Sequence, residues 1–202
     1  MKTLSIIAIA GLASAAAADN YLTANAAYGG HAPHARSNYA SATMTVAVDY
    51  DHWDANLSPN NIVVFIDLNA ALGGLAGQDA YVTGIGWDTH IMTVASGSWL
   101  SESAYDFAGQ IFLSPGAGDS FSGTGDYSSG GIVDLSDNGL PDILAAGGVL
   151  SLEMFDSFDD VAGAVDSHQS GTLTLVVDYK VPAPAGLAVL GLGGLVATRR
   201  RR

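Results

Sequence analysis

Polar and apolar residues alternate through Thr43-Met44-Thr45-Val46-Ala47-Val48-Asp49-Tyr50, with the period of two that a half-buried strand requires. Leu173, Leu175, Val177 and Tyr179 alternate with Thr172, Thr174, Val176 and Asp178 in the same way. Ile62 to Leu68, apolar except for Asp67 and rich in β-branched residues, has the pattern of a central strand. Shorter apolar bursts predict further strands over Ala80–Trp87, His90–Ala95, Gln110–Leu113, Gly131–Leu135 and Val149–Phe155. Turn-forming residues separate them at Ser58-Pro59-Asn60-Asn61, Gly73-Gly74, Ser114-Pro115-Gly116 and Asp137-Asn138-Gly139. Ala70 to Ala76 and Pro141 to Ala146 each suit one helical turn, and no longer helical period occurs between the two ends. The expected fold is therefore all-β, a sandwich or barrel of about eight to nine short strands. The strand phase turns Met44, Val46, Val48, Val64, Ile66, Leu150, Leu152, Leu173, Leu175 and Val177 towards the core.

The ends follow a different logic. In MKTLSIIAIAGLASAAAADN, Lys2 supplies a charged start and Leu4 to Leu12 an apolar segment. Small residues then run up to Ala18 before Asp19, the layout of a cleavable export signal rather than of a buried helix. Export would engage the secretion machinery and signal peptidase. At the other end, Ala185 to Thr198 is a 14-residue apolar or small run, ahead of Arg199, Arg200, Arg201 and Arg202. As a helix it is roughly 21 Å long against a hydrocarbon core of about 30 Å, marginal for a permanent span. The arginines would stay on the cytoplasmic side. The division expected is a signal peptide over 1–18, a β-sandwich domain over 19–180 and a tail signal over 181–202.

Val181-Pro182-Ala183-Pro184, the glycine-rich apolar run and the arginine end together resemble the PEP-CTERM sorting signal, also labelled an ice-binding protein C-terminal domain. The usual motif is Pro-Glu-Pro, and Ala183 stands where the glutamate would be. The resemblance covers about the last 22 residues. It implies processing by an exosortase-like membrane protease, a transient or retained inner-membrane anchor, and delivery to the cell envelope, cell surface or extracellular matrix, often beside exopolysaccharide production. A second resemblance lies in Gly148 to Glu153, the acidic stretch Asp156 to Asp160, and Gly171 to Leu175. That order of strand, acidic loop, glycine and final strand is similar to the end of P-domains, the jelly-roll modules beside subtilisin-like proteases. It favours a jelly roll among the all-β folds.

Charge narrows the function classes. All 20 acidic residues lie between Asp19 and Asp178, where Arg36 is the only base, and Lys180 is the only other base before the tail. The domain therefore carries a net charge of about −18, which repels nucleic acid and anionic lipid. Its carboxylates must be solvated, screened or bound to cations. The chain has no cysteine, so thiol catalysis and disulfide stapling are excluded. Neither G-x-S-x-G nor H-E-x-x-H occurs, and no phosphate loop carries its lysine. A glycosidase needs only two carboxylates at a set separation, which twenty acids neither exclude nor support.

The densest acidic stretch is Glu153-Met154-Phe155-Asp156-Ser157-Phe158-Asp159-Asp160, with Asp166 close behind. Calcium takes six to eight oxygen ligands. Asp156, Asp159 and Asp160 are its candidate ligands, with a solvated acidic loop as the alternative; Glu153 belongs to the preceding strand. No EF-hand spacing occurs. His31 and His34 are spaced for a transition metal but lack a third ligand and read as a polar loop. His52, within Asp49 to Asp54, reads as an exposed loop residue. Trp87 and Trp99 are either core or sugar-stacking platforms.

These features point to an exported, non-enzymatic envelope or matrix protein, structural or adhesive, associated with exopolysaccharide. The alternative is a lectin-like carbohydrate-binding module or a carbohydrate-active enzyme. No catalytic residue is assigned.

Overall fold

The computed structural model describes residues 21–23, 36, 38–161 and 163–182. Along the chain it forms β1 (Tyr21–Thr23), β2 (Tyr39–His52), β3 (Ile62–Asp67), α1 (Leu68–Leu72), β4 (Ala80–Thr93), β5 (Ser103–Phe107), β6 (Ile111–Ser114), β7 (Thr124–Ser128), β8 (Val133–Asp134), β9 (Ile143–Ala145), β10 (Val149–Asp156) and β11 (Ser167–Lys180). One sheet has the order β1-β6-β5-β10-β3 and the other β2-β11-β4-β7. All their pairings are antiparallel except that of β1 with β6. The two sheets form the layers of a jelly-roll-like sandwich.

β11 organises the second sheet. Its 14 residues pair along their whole length with β2 and, nearly so, with β4. The second edge of β4 is filled by three short strands in turn, β9 at Ala80–Val82, β8 at Gly84–Ile85 and β7 at Asp88–Met92. Gly171, at φ +130°, lies so close to β4 that a Cβ there would meet the Asp88 carbonyl at 2.3 Å. Only glycine lets the two backbones approach this far.

The core lies between the layers. Leu173, Leu175 and Val177 of β11 and Ile85 and Trp87 of β4 join Leu150, Leu152, Met154, Tyr105, Phe107, Ile111 and Leu113 from the opposite sheet. Met44, Val46, Val64 and Ile66 pack against this cluster and Val48 belongs to it, so the strand phase read from alternation holds.

Several local expectations change. The Ile62–Leu68 run is an edge strand among the described residues rather than a central one, because β10 alone of them pairs with β3. Its outward residues Val63 and Phe65 are exposed, Phe65 by 61%. Ala80–Trp87 and His90–Ala95 fuse into the single strand β4. Pro141–Ala146 holds a strand, β9, where a helical turn was expected, since Ile143 and Ala145 are drawn into the core. The turn expected over Ala70–Ala76 forms earlier, as α1, capped by the Asp67 side chain at the Ala70 N–H (2.8 Å) and ended by Gly73 at φ +74°. The described residues hold eleven strands, more than expected, because β1, β5 and β7 carried no clear alternation.

Candidate functional site

Three connections meet at the end of the sandwich where β10 stops and β11 begins. They are the segments 53–61 after β2, 94–102 after β4 and 157–166 after β10. Backbone hydrogen bonds fasten them together. The Asp156 N–H donates to the Asp54 carbonyl (3.0 Å), that of Ser157 to Glu102 (2.8 Å) and that of Asp166 to His52 (2.9 Å). The Val94 and Ala95 N–H groups both donate to the Asp166 carbonyl.

Some acidic side chains here are structural acceptors. Asp54 Oδ2 accepts from the Ser58 hydroxyl (2.7 Å) and the Asn60 amide (2.6 Å), and its Oδ1 accepts from the Gly163 N–H (3.4 Å). The Ser58 and Asn60 donors hold its carboxyl below the usual range. Glu153 and Asp106 are cross-strand neighbours on β10 and β5. Loop 53–61 folds over both. Glu153 Oε1 accepts from the Leu57 N–H (2.6 Å) and the Asn61 amide (2.7 Å), while Asp106 Oδ2 accepts from the Asn56 amide (2.9 Å). Burial raises the pKa of both despite these donors.

A second group of carboxylates is less well satisfied. Asp156 is fully buried. Its oxygens accept from the Phe158 N–H (3.2 Å) and the Ser167 hydroxyl (3.3 Å). Burial, with repulsion from Asp166 and Glu102, pushes its carboxyl up to about 7. Asp166 is also fully buried, and Oδ1 accepts from the Ser98 hydroxyl (3.3 Å) while Oδ2 finds no partner among the described residues. Burial, then Asp159 and Asp160, push it up to about 6. Asp160 sits against Gly97, where a Cβ would meet its Oδ1 at 3.0 Å, and its buried Oδ2 finds no hydrogen-bond donor among the described residues. Glu102 accepts the Trp99 N–H (2.6 Å). Burial raises its pKa, and the neighbouring Asp160 carboxyl raises it further.

The three expected calcium ligands therefore fall in different settings. Asp156 is internal and engaged on both oxygens, Asp159 is exposed, and Asp160 turns inward with a free oxygen. Glu102, Ser98 and Asp166 join them from outside the Glu153–Asp160 run. Nothing local marks Glu102 or Ser98, since 94–102 meets 157–166 only through the fold.

His52 corrects the expectation of an exposed loop. It ends β2 on the inward face, fully buried, with Nδ1 2.8 Å from the Phe155 carbonyl and its ring edge-on to Tyr105. Burial holds its pKa down to about 4. Trp87 is buried within β4, whereas Trp99 is 44% exposed. An open depression of about 310 Å³ runs beside Gly86, Asp88, Ser128, Ile132 and Thr174, with Asp88 as its one acidic lining residue. His31, His34, the Ala18–Asp19 cleavage point, Ala183, Pro184 and Arg199 to Arg202 lie outside the described residues; Val181 and Pro182 simply follow β11.

No family model and no curated protein matches the chain. Among solved structures it is similar to the Nora virus structure, at 12% identity over 81% of this chain and 68% of that one, TM-score 0.31. A family two carbohydrate esterase from Cellvibrio japonicus is 10% identical over 71% of this chain and 37% of its own, TM-score 0.28. The Tobacco streak virus coat protein dimer is 9% identical over 76% and 93%, TM-score 0.25. Likenesses this remote carry no argument about what the chain does.

Proposed function

We propose that the chain is an exported, non-enzymatic β-sandwich of the cell envelope or extracellular matrix, structural or adhesive in role and associated with exopolysaccharide. The observation that carries this reading is the use made of its acids. Asp54, Asp106 and Glu153 are committed as acceptors that clamp loop 53–61 to the sandwich. The open depression offers one carboxylate, Asp88, where glycoside hydrolysis needs a pair flanking the bond. Export and the PEP-CTERM-like tail supply the location. An exosortase-like protease is the expected processing partner.

A lectin-like role is the second reading. Trp99, 44% exposed, lies next to Leu100, whose N–H bonds the carbonyl of Phe121, itself 54% exposed. Such rings suit stacking on sugar faces.

The test is expression of the full chain in a host that has an exosortase and secretes exopolysaccharide, with cell fractionation and intact-mass measurement. The expected product lacks residues through about Ala18 and the tail beyond about Val181 to Ala185, and sediments with envelope or matrix. A cytoplasmic product, or a mature one retaining Arg199 to Arg202, overturns the assignment. Binding to the host's polysaccharide that is lost in Trp99→Ala would shift it to the lectin-like reading.

A further inference from the structure

We propose that the depression beside Gly86 binds an organic ammonium, a primary amine carried on a short apolar body, with the Asp88 carboxylate holding the charge and Gly86 and Ile132 facing the body. The inference goes beyond the envelope reading, because binding by the purified chain is independent of where a cell delivers it.

The site is a gap in the second sheet. Along one edge of β4, the pairing with β7 stops at Asp88 and Ser128, and that with β8 starts at Ile85 and Val133. Gly86 and Trp87 therefore meet no strand on that edge among the described residues. Segment 129–132 spans the gap, and Ser129 pins it there. The Ser129 N–H donates to the Trp87 carbonyl (2.9 Å), and its hydroxyl accepts from the Trp87 N–H (2.8 Å) and donates to the Gly131 carbonyl (2.7 Å). Trp87 turns into the core, so the outward residue of the gap is a glycine and its floor is bare backbone. The resulting depression of about 310 Å³ lies at the lower end of the ~300–1,000 Å³ range of small-ligand sites.

Its lining has two characters. Ile132 lies over Gly84 and Gly86, where a Cβ on either would meet its side chain at 2.7 and 3.2 Å, and makes one side apolar. Asp88, its cross-strand partner Ser128, and Thr174 make the other side a set of oxygens. An ammonium carries three N–H donors, which one carboxylate and two hydroxyl oxygens can receive.

The chain's own bases leave Asp88 to an outside cation. Arg36 is held by Asp142 and Asp178, and Lys180 by Gln78. His90, the next outward residue of β4, is taken by Asp126 (2.7 Å). The net charge of about −18 over 19–180 draws cations of every kind towards the surface. A metal ion takes several hard oxygens at once, and Asp88 is the one carboxylate in the lining. The apolar side favours carbon, which an inorganic ion lacks. An amino sugar within a glycan and a free alkylamine share this chemistry.

Amide chemical-shift titration of the full chain at matched ionic strength tests it. Butylammonium or glucosamine should move Gly86, Asp88 and Ser128 to Ile132 together and saturate at one site, and the tighter of the two names the source. Ammonium chloride, which has the charge without the body, and butanol and glucose, which have a body without the charge, should bind about tenfold more weakly or less. Asp88→Asn should weaken the amine about tenfold or more. Thr174→Phe fills the depression, keeps the charge and should have the same effect. Asp159→Asn removes an equal charge from the 157–166 connection and should leave binding unchanged. No localised shifts with either amine, an equal response to ammonium chloride, or unchanged binding in the Asp88→Asn or a folded Thr174→Phe chain overturns the proposal. Should Thr174→Phe fail to fold, Asp88→Asn and the comparison of ligands still decide.

Discussion

Ser103 of β5 and Ser167 of β11 meet Oγ to Oγ at 2.5 Å, one from each sheet, both fully buried. With Asp156 ionised, Ser167 gives its one hydrogen to Asp156 Oδ2 (3.3 Å), so Ser103 is the donor to Ser167. The chain of three ties the two layers together. Ser167→Ala removes the donor to a buried carboxylate and should cost about 1–3 kcal/mol. Ser103→Ala leaves that donor in place and should cost less. Urea denaturation of the two variants checks the order; a larger loss in Ser103→Ala would reverse the donor assignment.

Leu175 is 1% exposed in the centre of the core. Leu175→Ala should cost roughly 2–5 kcal/mol. Phe65→Ala, on the outer face of the edge strand β3, should stay within about 0.5 kcal/mol. Denaturation midpoints compare them directly. Equal losses would mean that Phe65 is covered in solution.

Gly171→Ala forces a side chain into φ +130° and against the Asp88 carbonyl. The backbone conformation alone should cost on the order of 1–3 kcal/mol. The added contact spreads β11 from β4, so amide exchange should quicken along both strands. Unchanged protection would show that the approach is looser than it stands.

Arg36 lies over the Tyr81 ring, 3.7 Å from its centroid, and reaches both Asp142 and the buried Asp178, 3.6 Å from Nε. Arg36→Ala strands Asp178 and should cost about 3–5 kcal/mol. Arg36→Lys keeps the charge but loses the planar stacking, and should recover part of that loss. Thermal melting of both variants, expected in that order, is the check.

Two buried groups give opposite pH slopes. Asp156, raised to about 7 from an ordinary value near ~4, binds its proton more readily folded than unfolded. Its ionisation therefore takes stability away as pH rises through that interval, by at most ~4 kcal/mol. His52, held down to about 4 from an ordinary ~6.5, is protonated sooner in the unfolded chain. It takes stability away as pH falls through its interval, by at most ~3 kcal/mol. Asp156→Asn removes the first effect only. Measured in EDTA, its stability relative to wild type should grow steadily between about pH 4 and 7. A pH-independent difference would mean that Asp156 titrates normally.

How far the sequence was legible depended on which faces were wet. β2 and β11 each put alternate residues outward, so their period of two was visible and their inward residues were read correctly. β5 was invisible because all five of its residues are buried; Asp106, under loop 53–61, looks like a turn residue when seen alone. β3 misled in the opposite sense, since Val63 and Phe65 are apolar yet exposed. The charged neighbours of His52 suggest an exposed loop, but strand parity, two residues from Tyr50, turns it inward. The acidic loop could be found by composition. Its counterpart at Ser98 and Glu102 could not, because only tertiary folding brings the two together.

The engagement of Arg36 and Lys180 has an outcome at the scale of many molecules. With both bases of the 19–180 stretch already engaged, their positive charge is held within the fold, and the stretch's net charge of about −18 must be balanced by mobile ions. A layer of such domains behaves as a polyelectrolyte. Its trapped counter-ions draw in water by osmosis, so the layer swells in dilute medium and contracts when divalent salt replaces sodium.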